Sequence, residues 1–456
     1  MPESLTRCGF RRYSGVNMSA TAVILAAGFG TRMKSALPKT LHPIAGRPML
    51  RHLLDSCAAA FDRVVVVIGP EMDAVASVAA PWPTVVQTER LGTAHAALQA
   101  EALFGPGEVA VLYADNPLIT PDTLRRLLAR RLQGDAGLAL MAMRPADPAR
   151  YGRVIATDGF VERIVEFKDA TNAERTVSLC NAGVLCADAD SMRAWLQAVG
   201  NNNAQGEFYL TDVVALARRD GARVAAVEAS EDELLGINSR AELARAEAVV
   251  QGRLRATAMD GGVTMTAPDT VFLSTDTQFG HDVSIGPFVV FGPGVIVESG
   301  VEIRAHCHLE GCSIASGAVI GPFARLRPGT NVGRSAHVGN FVELKAATLG
   351  DGAKANHLAY IGDASVGAGT NIGAGVITCN YDGFAKFRTE IGAGVFVGSD
   401  SILVAPVSIG DGAFVTAGSV ITHDVAPDAM AFGRARQEQK PGRAAEFRSA
   451  RRKEKR

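Results

Sequence analysis

The sequence predicts an α/β protein in two dissimilar parts, a Rossmann-like, mostly parallel sheet with flanking helices and then a left-handed parallel β-helix of six-residue repeats. Three observations carry this. Short β-branched runs alternate with helical stretches from Thr21 to about Val227, an Ala-, Glu- and Arg-rich stretch follows, and beyond Gly261 aliphatic residues return every six positions.

In the first part the runs are AVIL (22–25), RVVVVIG (63–69) and EVAVLYAD (108–115). Alternation with helices implies parallel pairing through crossovers, which puts function at the C-terminal ends of the strands. The stretch SRAELARAEAVVQGRLR (239–255) has helical spacing and opens with a Ser cap and a Glu three residues on, so it reads as a connecting helix.

The repeat runs through Phe279, Ile285, Phe291, Val297, Ile303 and Leu309, then Ile314, Ile320, Leu326, Val332, Val338 and Leu344, and finally Ile391, Val397, Leu403, Ile409, Val415 and Ile421. Leu349, Ile361, Val366 and Ile372 bridge the middle with one-residue slips. Period six fits neither a helix nor an alternating hairpin. It fits a triangular coil of three short strands in which each aliphatic residue points inward and stacks on its counterpart one coil along. At CNYDGFAKFRTE (379–390) the register gains residues, so a loop should project there.

The expected domains are therefore an N-terminal extension without order (1–19), a nucleotide-type α/β domain (20–238), a linker helix (239–260), a β-helix (261–442) and a basic tail (443–456). Composition allows this, because hydrophobic residues make up 47% of 456 and each domain can bury a core. With 46 Lys and Arg against 47 Asp and Glu, the charge gives no general reason to bind nucleic acid or membrane, so an anionic ligand must be held locally. Seven cysteines, Cys8 among them, form no CxxC pair, and reduced thiols in a cytoplasm are the simplest reading. No window approaches a membrane span. The first residues are basic (Arg7, Arg11, Arg12) but lack an apolar signal core, and Met18 offers an alternative start.

The segment LAAGFGTRMKSALPK (25–39) follows a strand and places Gly28 and Gly30 in a turn whose NH groups can meet a phosphate or a base. A dinucleotide fingerprint wants a third glycine where Met33 stands, and a Walker loop wants GK[ST]; both readings fail. What remains is a glycine turn followed by Arg32 and Lys39, two cations suited to a triphosphate attacked at its α-phosphorus. In this the sequence resembles the sugar-1-phosphate nucleotidyltransferases, whose signature LAAGxGTRM and PK pair are found at Leu25–Met33 and Pro38–Lys39.

The resemblance implies a set of roles. Leu25, Ala26, Ala27, Gly28, Lys39, Gln87, Gly92, Thr93, Tyr113, Ala114 and Asp115 would bind the nucleotide, with Gln87, Gly92 and Thr93 placed as in members that read uracil. Gly152, Glu166 and Asn181 would hold the sugar, and Asp115 and Asn238 would hold Mg²⁺. The family usually has glycine where Ala114 stands, a methyl group's difference at the backbone's approach to nucleotide.

In the β-helix the polar interruptions of the repeat are informative: Arg327, Glu343, Lys345, His357, Tyr360, Asn371, Asn380 and Tyr381. With RLRPGTNVGRSAHVGNFVELK, NHLAYIGDASVG, NIGAG and ITCNYDGFAKF, they resemble the acetyltransferase half of the bifunctional N-acetylglucosamine-1-phosphate uridylyltransferase and glucosamine-1-phosphate N-acetyltransferase family. The likeness runs from Thr21 to about Lys440. It implies His357 as general base, which Glu343 could orient or make more basic. Arg327, Lys345, Tyr360 and Asn371 would hold the amino-sugar phosphate with help from the Asn380 amide, and Ala374, Asn380, Tyr381, Ser399, Ala417 and Arg434 would lie along acetyl-CoA. It further implies glucosamine-1-phosphate, N-acetylglucosamine-1-phosphate, UTP and acetyl-CoA as small-molecule partners. The assembly would be a homotrimer with sites built from neighbouring chains, making a precursor of peptidoglycan and lipopolysaccharide.

Two alternatives compete. A single-activity nucleotidyltransferase with an oligomerising β-helix would keep the LAAGxGTRM segment but has no need of His357, Tyr360 and the NYDG loop together. A β-helical scaffold with a degenerate first domain has no need of Arg32, Lys39, Asp115 and Asn238.

Overall fold

A computed structural model describes residues 19–148, 151–203 and 205–454. The extension read at 1–19, with Arg7, Cys8, Arg11, Arg12 and Met18, lies outside the described residues apart from Ser19. The chain divides into two compact units, Met1–Gln251 and Gly252–Arg456.

The first unit is built on a nine-stranded sheet. Its strands are β1 (Ala20–Leu25), β2 (Arg63–Ile68), β3 (Thr84–Val86), β4 (Glu108–Tyr113), β5 (Leu138–Met143), β6 (Arg153–Thr157), β7 (Phe160–Val165), β8 (Cys180–Asp188) and β9 (Val224–Glu228). Their order is β3-β2-β1-β4-β8-β5-β9-β7-β6. The expected parallel pairing holds across β3-β2-β1-β4 and between β5 and β9. Elsewhere the sheet is mixed, because β8 runs antiparallel between β4 and β5, and β6 and β7 close a hairpin at the edge. The strands β1, β2 and β4, buried but for one end residue each, are near-continuous apolar runs, as a sheet covered on both faces requires. One core layer includes Ile24, Leu53, Val66 and Leu112, the other Val23, Val65, Val111 and Val213.

A helix spans Arg240–Asp260. Its start is capped as the sequence suggests: the Glu242 carboxylate accepts from Asn238 N at 2.8 Å and from Ser239 Oγ at 2.9 Å. Glu247 on the same helix accepts from Ala45 N at 2.7 Å, which anchors the first half of the helix to the first unit.

The second unit is a parallel β-helix of three sheets with 10, 8 and 8 strands. Ile285 pairs with Ile303, and Leu326 with Leu344, at the 18-residue interval of a three-sided coil with six residues per side. The slips appear as 17-residue intervals such as Leu344 to Ile361. Across the loop the interval stretches to 25, from Val366 to Ile391, so the insertion leaves the coil above it in register. The aliphatic columns are buried in one continuous core. At one corner Phe288, His306, Phe323, Phe341 and Leu358 all adopt positive φ, between 48° and 61°, and point outward. The basic segment at the C-terminus contains a helix, Arg443–Lys453, with no buried residue.

Candidate active sites

In the first unit the ends of β1 and β4 are adjacent, with Leu25 paired to Tyr113. Beyond them a cavity of about 270 Å³ is lined by Leu25, Ala26, Ala27, Gly28, Lys39, Gln87, Gly92, Thr93, Tyr113, Ala114 and Asp115, all expected from the sequence. Thr40, Arg90, Ala96 and Glu207 line it too, and the sequence reading gave none of them a role.

The glycines of the turn do different things. Gly30 has φ 67°, and a Cβ there would lie 2.4 Å from Lys39 Cβ, so its bareness lets the short helix that Lys39 opens close in. A Cβ at Gly28 would meet no protein atom within 4 Å, so the backbone is bare toward open space. Gly92, at φ 122°, would bring a Cβ to 2.5 Å from Phe208 O.

Lys39 Nζ lies 2.5 Å from Asp115 Oδ2 and 3.0 Å from Asn238 Oδ1, and Arg32 Nη2 donates to the same Asn238 oxygen at 2.7 Å. Asn238 is held there through its neighbour, since Ile237 N donates to Asp115 O at 2.9 Å. Two oxygens from distant parts of the chain thus converge on one cationic nitrogen. The Gln87 amide donates to Gly92 O at 3.1 Å and lies 3.1 Å from His95 Nδ1; among the described residues its Oε1 has no donor. Burial pushes the Tyr113 phenol up to about 12, against the Thr93 hydrogen bond that lowers it. Ala114 belongs to the buried core, and its N donates to Leu25 O at 3.1 Å.

Gly152, Glu166 and Asn181 do not line that cavity but cluster beside it. Asn181 N donates to Gly152 O at 2.8 Å, and a Cβ at Gly152 would lie 3.4 Å from Glu166 Oε1. Asn181 Oδ1 accepts from Gly183 N at 3.0 Å, and Gly183 is bare where the Tyr113 ring passes, 2.1 Å from a Cβ placed there. Burial raises the Glu166 carboxyl, reinforced by the charges of Asp169 and Asp212.

In the second unit His357 ends the strand Lys354–His357, exposed, directly across the ladder from Asn340. Its Nδ1 is 2.6 Å from Asn340 Oδ1. Glu343, expected to orient the histidine, instead accepts from Arg327 Nη1 at 2.9 Å and Arg325 Nη1 at 3.4 Å. The physical reason is register: Glu343 faces Arg325 on a neighbouring sheet from the one that carries Asn340 and His357, and the guanidinium groups are within its reach.

Lys345 Nζ lies 3.3 Å from Asp363 Oδ2, which also accepts from Asn380 Nδ2. The loop that the register gain announced carries Tyr381 and Lys386, paired in an antiparallel bridge, and Asp382 Oδ1 fixes its turn by accepting from Phe384 N and Ala385 N at 2.8 Å. Lys386 reaches Lys345, whose contact and charge lower its ammonium from the ordinary value. Its approach to Lys345 adds a basic group, within the quoted NYDGFAKF run, to which the sequence reading gave no role. Tyr360 pairs with Glu343 across the ladder, and Asn371 stands in the His357 sheet, paired to Lys354. Ala374, Ser399, Ala417 and Arg434 rise along one corner: Asp400 N donates to Ala374 O at 2.7 Å, Gly418 N to Ser399 O at 2.8 Å, and Arg434 Cδ lies 3.9 Å from a Cβ placed at Gly418.

Known proteins match both units. The MobA-like NTP transferase domain family matches residues 22–180, and the bacterial transferase hexapeptide (six repeats) family matches 388–423. Fold and sites together define a nucleotidyltransferase fused to a hexapeptide-repeat transferase. The bifunctional protein GlmU of Gluconacetobacter diazotrophicus is 68% identical over 440 residues, 96% of this chain and 95% of that one. That of Acidiphilium cryptum is 64% identical over 431 residues, 94% of this chain and 99% of its own. The chain belongs to the GlmU family, and neither the single-activity nor the scaffold alternative fits that membership.

Proposed function

We propose that the protein acetylates glucosamine-1-phosphate from acetyl-CoA and then transfers UMP from UTP to the N-acetylglucosamine-1-phosphate formed, releasing pyrophosphate and UDP-N-acetylglucosamine. The observation that carries this is the presence of two separate sets of polar contacts, Lys39 with Asp115 and Asn238 in the first unit and His357 with Asn340 in the second. Transfer of UMP belongs to 20–238 and acetylation to 261–442, with the helix-bearing segment 239–260 between them and 1–19 and 443–456 outside both.

In the nucleotidyl site the sugar-phosphate oxygen attacks the α-phosphorus in line, and positioning with charge neutralisation does most of the work. Asp115 Oδ2 and Asn238 Oδ1 already converge on the Lys39 ammonium, which supports their fitness for a hard cation with oxygen ligands. Bound there, Mg²⁺ would neutralise charge on the phosphates and share its remaining positions with them and with water. With those two oxygens given to a cation, Lys39 and Arg32 would be free to neutralise the phosphates. Gln87 Oε1 is the acceptor that a uracil N3–H needs, while Gly152, Glu166 and Asn181 hold the sugar.

In the acetyl site the proton on His357 Nδ1 is committed to Asn340 Oδ1, so Nε2 carries the lone pair. That nitrogen takes the proton from the 2-ammonium group; the freed amine attacks the thioester carbonyl, the C–S bond breaks, and CoA leaves as the thiol. Arg327 and Lys345 bind the sugar phosphate, Tyr360, Asn371 and Asn380 align the amino sugar, and the corner from Ala374 and Tyr381 through Ser399 and Ala417 to Arg434 receives CoA.

The protein assembles as a homotrimer through the β-helix. Support comes from the exposed corner, where Phe288, His306, Phe323 and Phe341 stack with centroids 5.0, 4.7 and 5.2 Å apart and Leu358 continues the row. Outward apolar rings in left-handed positions cost free energy unless a second copy covers them. A cytoplasmic location is supported by six unpaired cysteines among the described residues, and no described helix is long and apolar enough to cross a membrane. The test is incubation with glucosamine-1-phosphate, acetyl-CoA, UTP and Mg²⁺ while thiol and pyrophosphate are followed separately. Pyrophosphate from N-acetylglucosamine-1-phosphate with no thiol release under any condition would sink the bifunctional reading.

A further inference from the structure

The nucleotide cavity holds a second cation to which the sequence reading assigns no role. Arg90 lines it, on the run between Gln87 and Thr93. Its Nε donates to Ala27 O at 2.8 Å, and its Cζ stands 3.7 Å from the centroid of the Phe29 ring, so the side chain ties that run to the glycine turn. The guanidinium also lies in a notch left by Gly69, at the end of β2: a Cβ on Gly69 would come within 2.3 Å of Arg90 Nη2. Gly69 is not in the left-handed region, so its lack of a side chain serves space rather than backbone conformation.

These contacts use Nε and the flat face of the group. Among the described residues no carboxylate pairs with Arg90 and no acceptor takes its terminal nitrogens. Lys39, the other cation lining the cavity, is engaged by Asp115 and Asn238, while the cavity's carboxylates are Asp115 and Glu207. A guanidinium held rigidly, with its outer fork unspent, beside a turn whose NH groups are bare is suited to bidentate recognition of a phosphate.

We propose that Arg90 is a further nucleotide-binding residue, its terminal nitrogens donating to the triphosphate of the incoming nucleotide from a seat made by Ala27, Phe29 and Gly69. The seat fixes the guanidinium before the ligand arrives, so little side-chain entropy is lost on binding. The proposal rests on the uridylyl-transfer reading.

The test is calorimetric titration of full-length protein in Mg²⁺ buffer with UTP and, separately, with uridine. Arg90→Gln should weaken UTP by about tenfold or more, the order of one charge-assisted hydrogen bond, and leave uridine binding unchanged. Arg90→Lys should recover part of the loss. Phe29→Leu, a change at an exposed ring, should weaken UTP by about two- to fivefold through loss of the cation–π platform. An unchanged thermal unfolding transition and an unchanged circular-dichroism spectrum in each variant report a folded chain. Equal weakening of UTP and uridine would assign Arg90 to shaping the turn alone and overturn the proposal, as would UTP affinity untouched in both Arg90→Gln and Phe29→Leu. Wild-type protein that binds no UTP would remove the uridylyl reading itself, a failure seen before any variant is made.

Discussion

Asn340 Oδ1 lies 2.6 Å from His357 Nδ1, and the two residues face each other across one rung of a parallel ladder. Neutral asparagine holds the imidazole in one tautomer without adding the charge that a carboxylate would bring. Asn340→Ala should therefore lower acetyl transfer by about tenfold or more, less than the about 10²–10⁴-fold loss expected for His357→Ala. A shift in the pH–rate profile of thiol release distinguishes lost orientation from a general loss of fold. Pyrophosphate formation should be unaffected by either change.

Asp115→Ala should do the converse, abolishing pyrophosphate formation while thiol release continues at the wild-type rate. Loss of both activities from either Asp115→Ala or His357→Ala in a folded protein would contradict independent sites.

Glu166 makes a prediction about pH. Its carboxyl is raised by burial and by Asp169 and Asp212, so the folded protein holds its proton more tightly than the unfolded chain does. Stability from this group is present below the ordinary glutamate value and is lost as pH rises through the elevated folded one. Glu166→Gln should accordingly raise the melting temperature at pH 7, with the gain vanishing in acid. The same change should raise KM for N-acetylglucosamine-1-phosphate, which a purely structural role would not do.

Thiol labelling of the native protein should be selective. Burial pushes Cys307 up to about 11 and Cys312 up to about 12, and raises Cys57 and Cys186 further. Cys379, half-buried at the base of the loop, should react with iodoacetamide first among the described cysteines, as read by peptide mass spectrometry.

In the β-helix core Leu344 is fully buried between Leu326 and Ile361. Leu344→Ala should cost about 2–5 kcal/mol, visible as a lowered denaturation midpoint. Because Glu343 and Lys345 flank it on the outward face, acetyl transfer should fall before nucleotidyl transfer as temperature rises.

The repeat was legible because a solenoid repeats its environment: the same inward position recurs each coil, so the sequence prints the register from Ile285 to Ile421 almost directly. The glycine turn, Arg32, Lys39 and the two-domain division were legible for a related reason, being local in the chain and tied to short motifs. The antiparallel entry of β8 was not, since a buried strand such as Cys180–Asp188 has the same apolar texture in either direction and its partners are decided by packing.

What the sequence determined by itself was therefore the class of each half and the motifs it carries. Tertiary structure alone decided who meets whom. It gave His357 to Asn340 rather than Glu343, brought Asn238 onto Asp115 across more than a hundred residues, and seated Arg90 against Phe29 and Gly69. Composition and local pattern fix which groups a segment carries, but hydrogen bonds and ion pairs act over about 3–4 Å, and only the folded backbone sets distances on that scale.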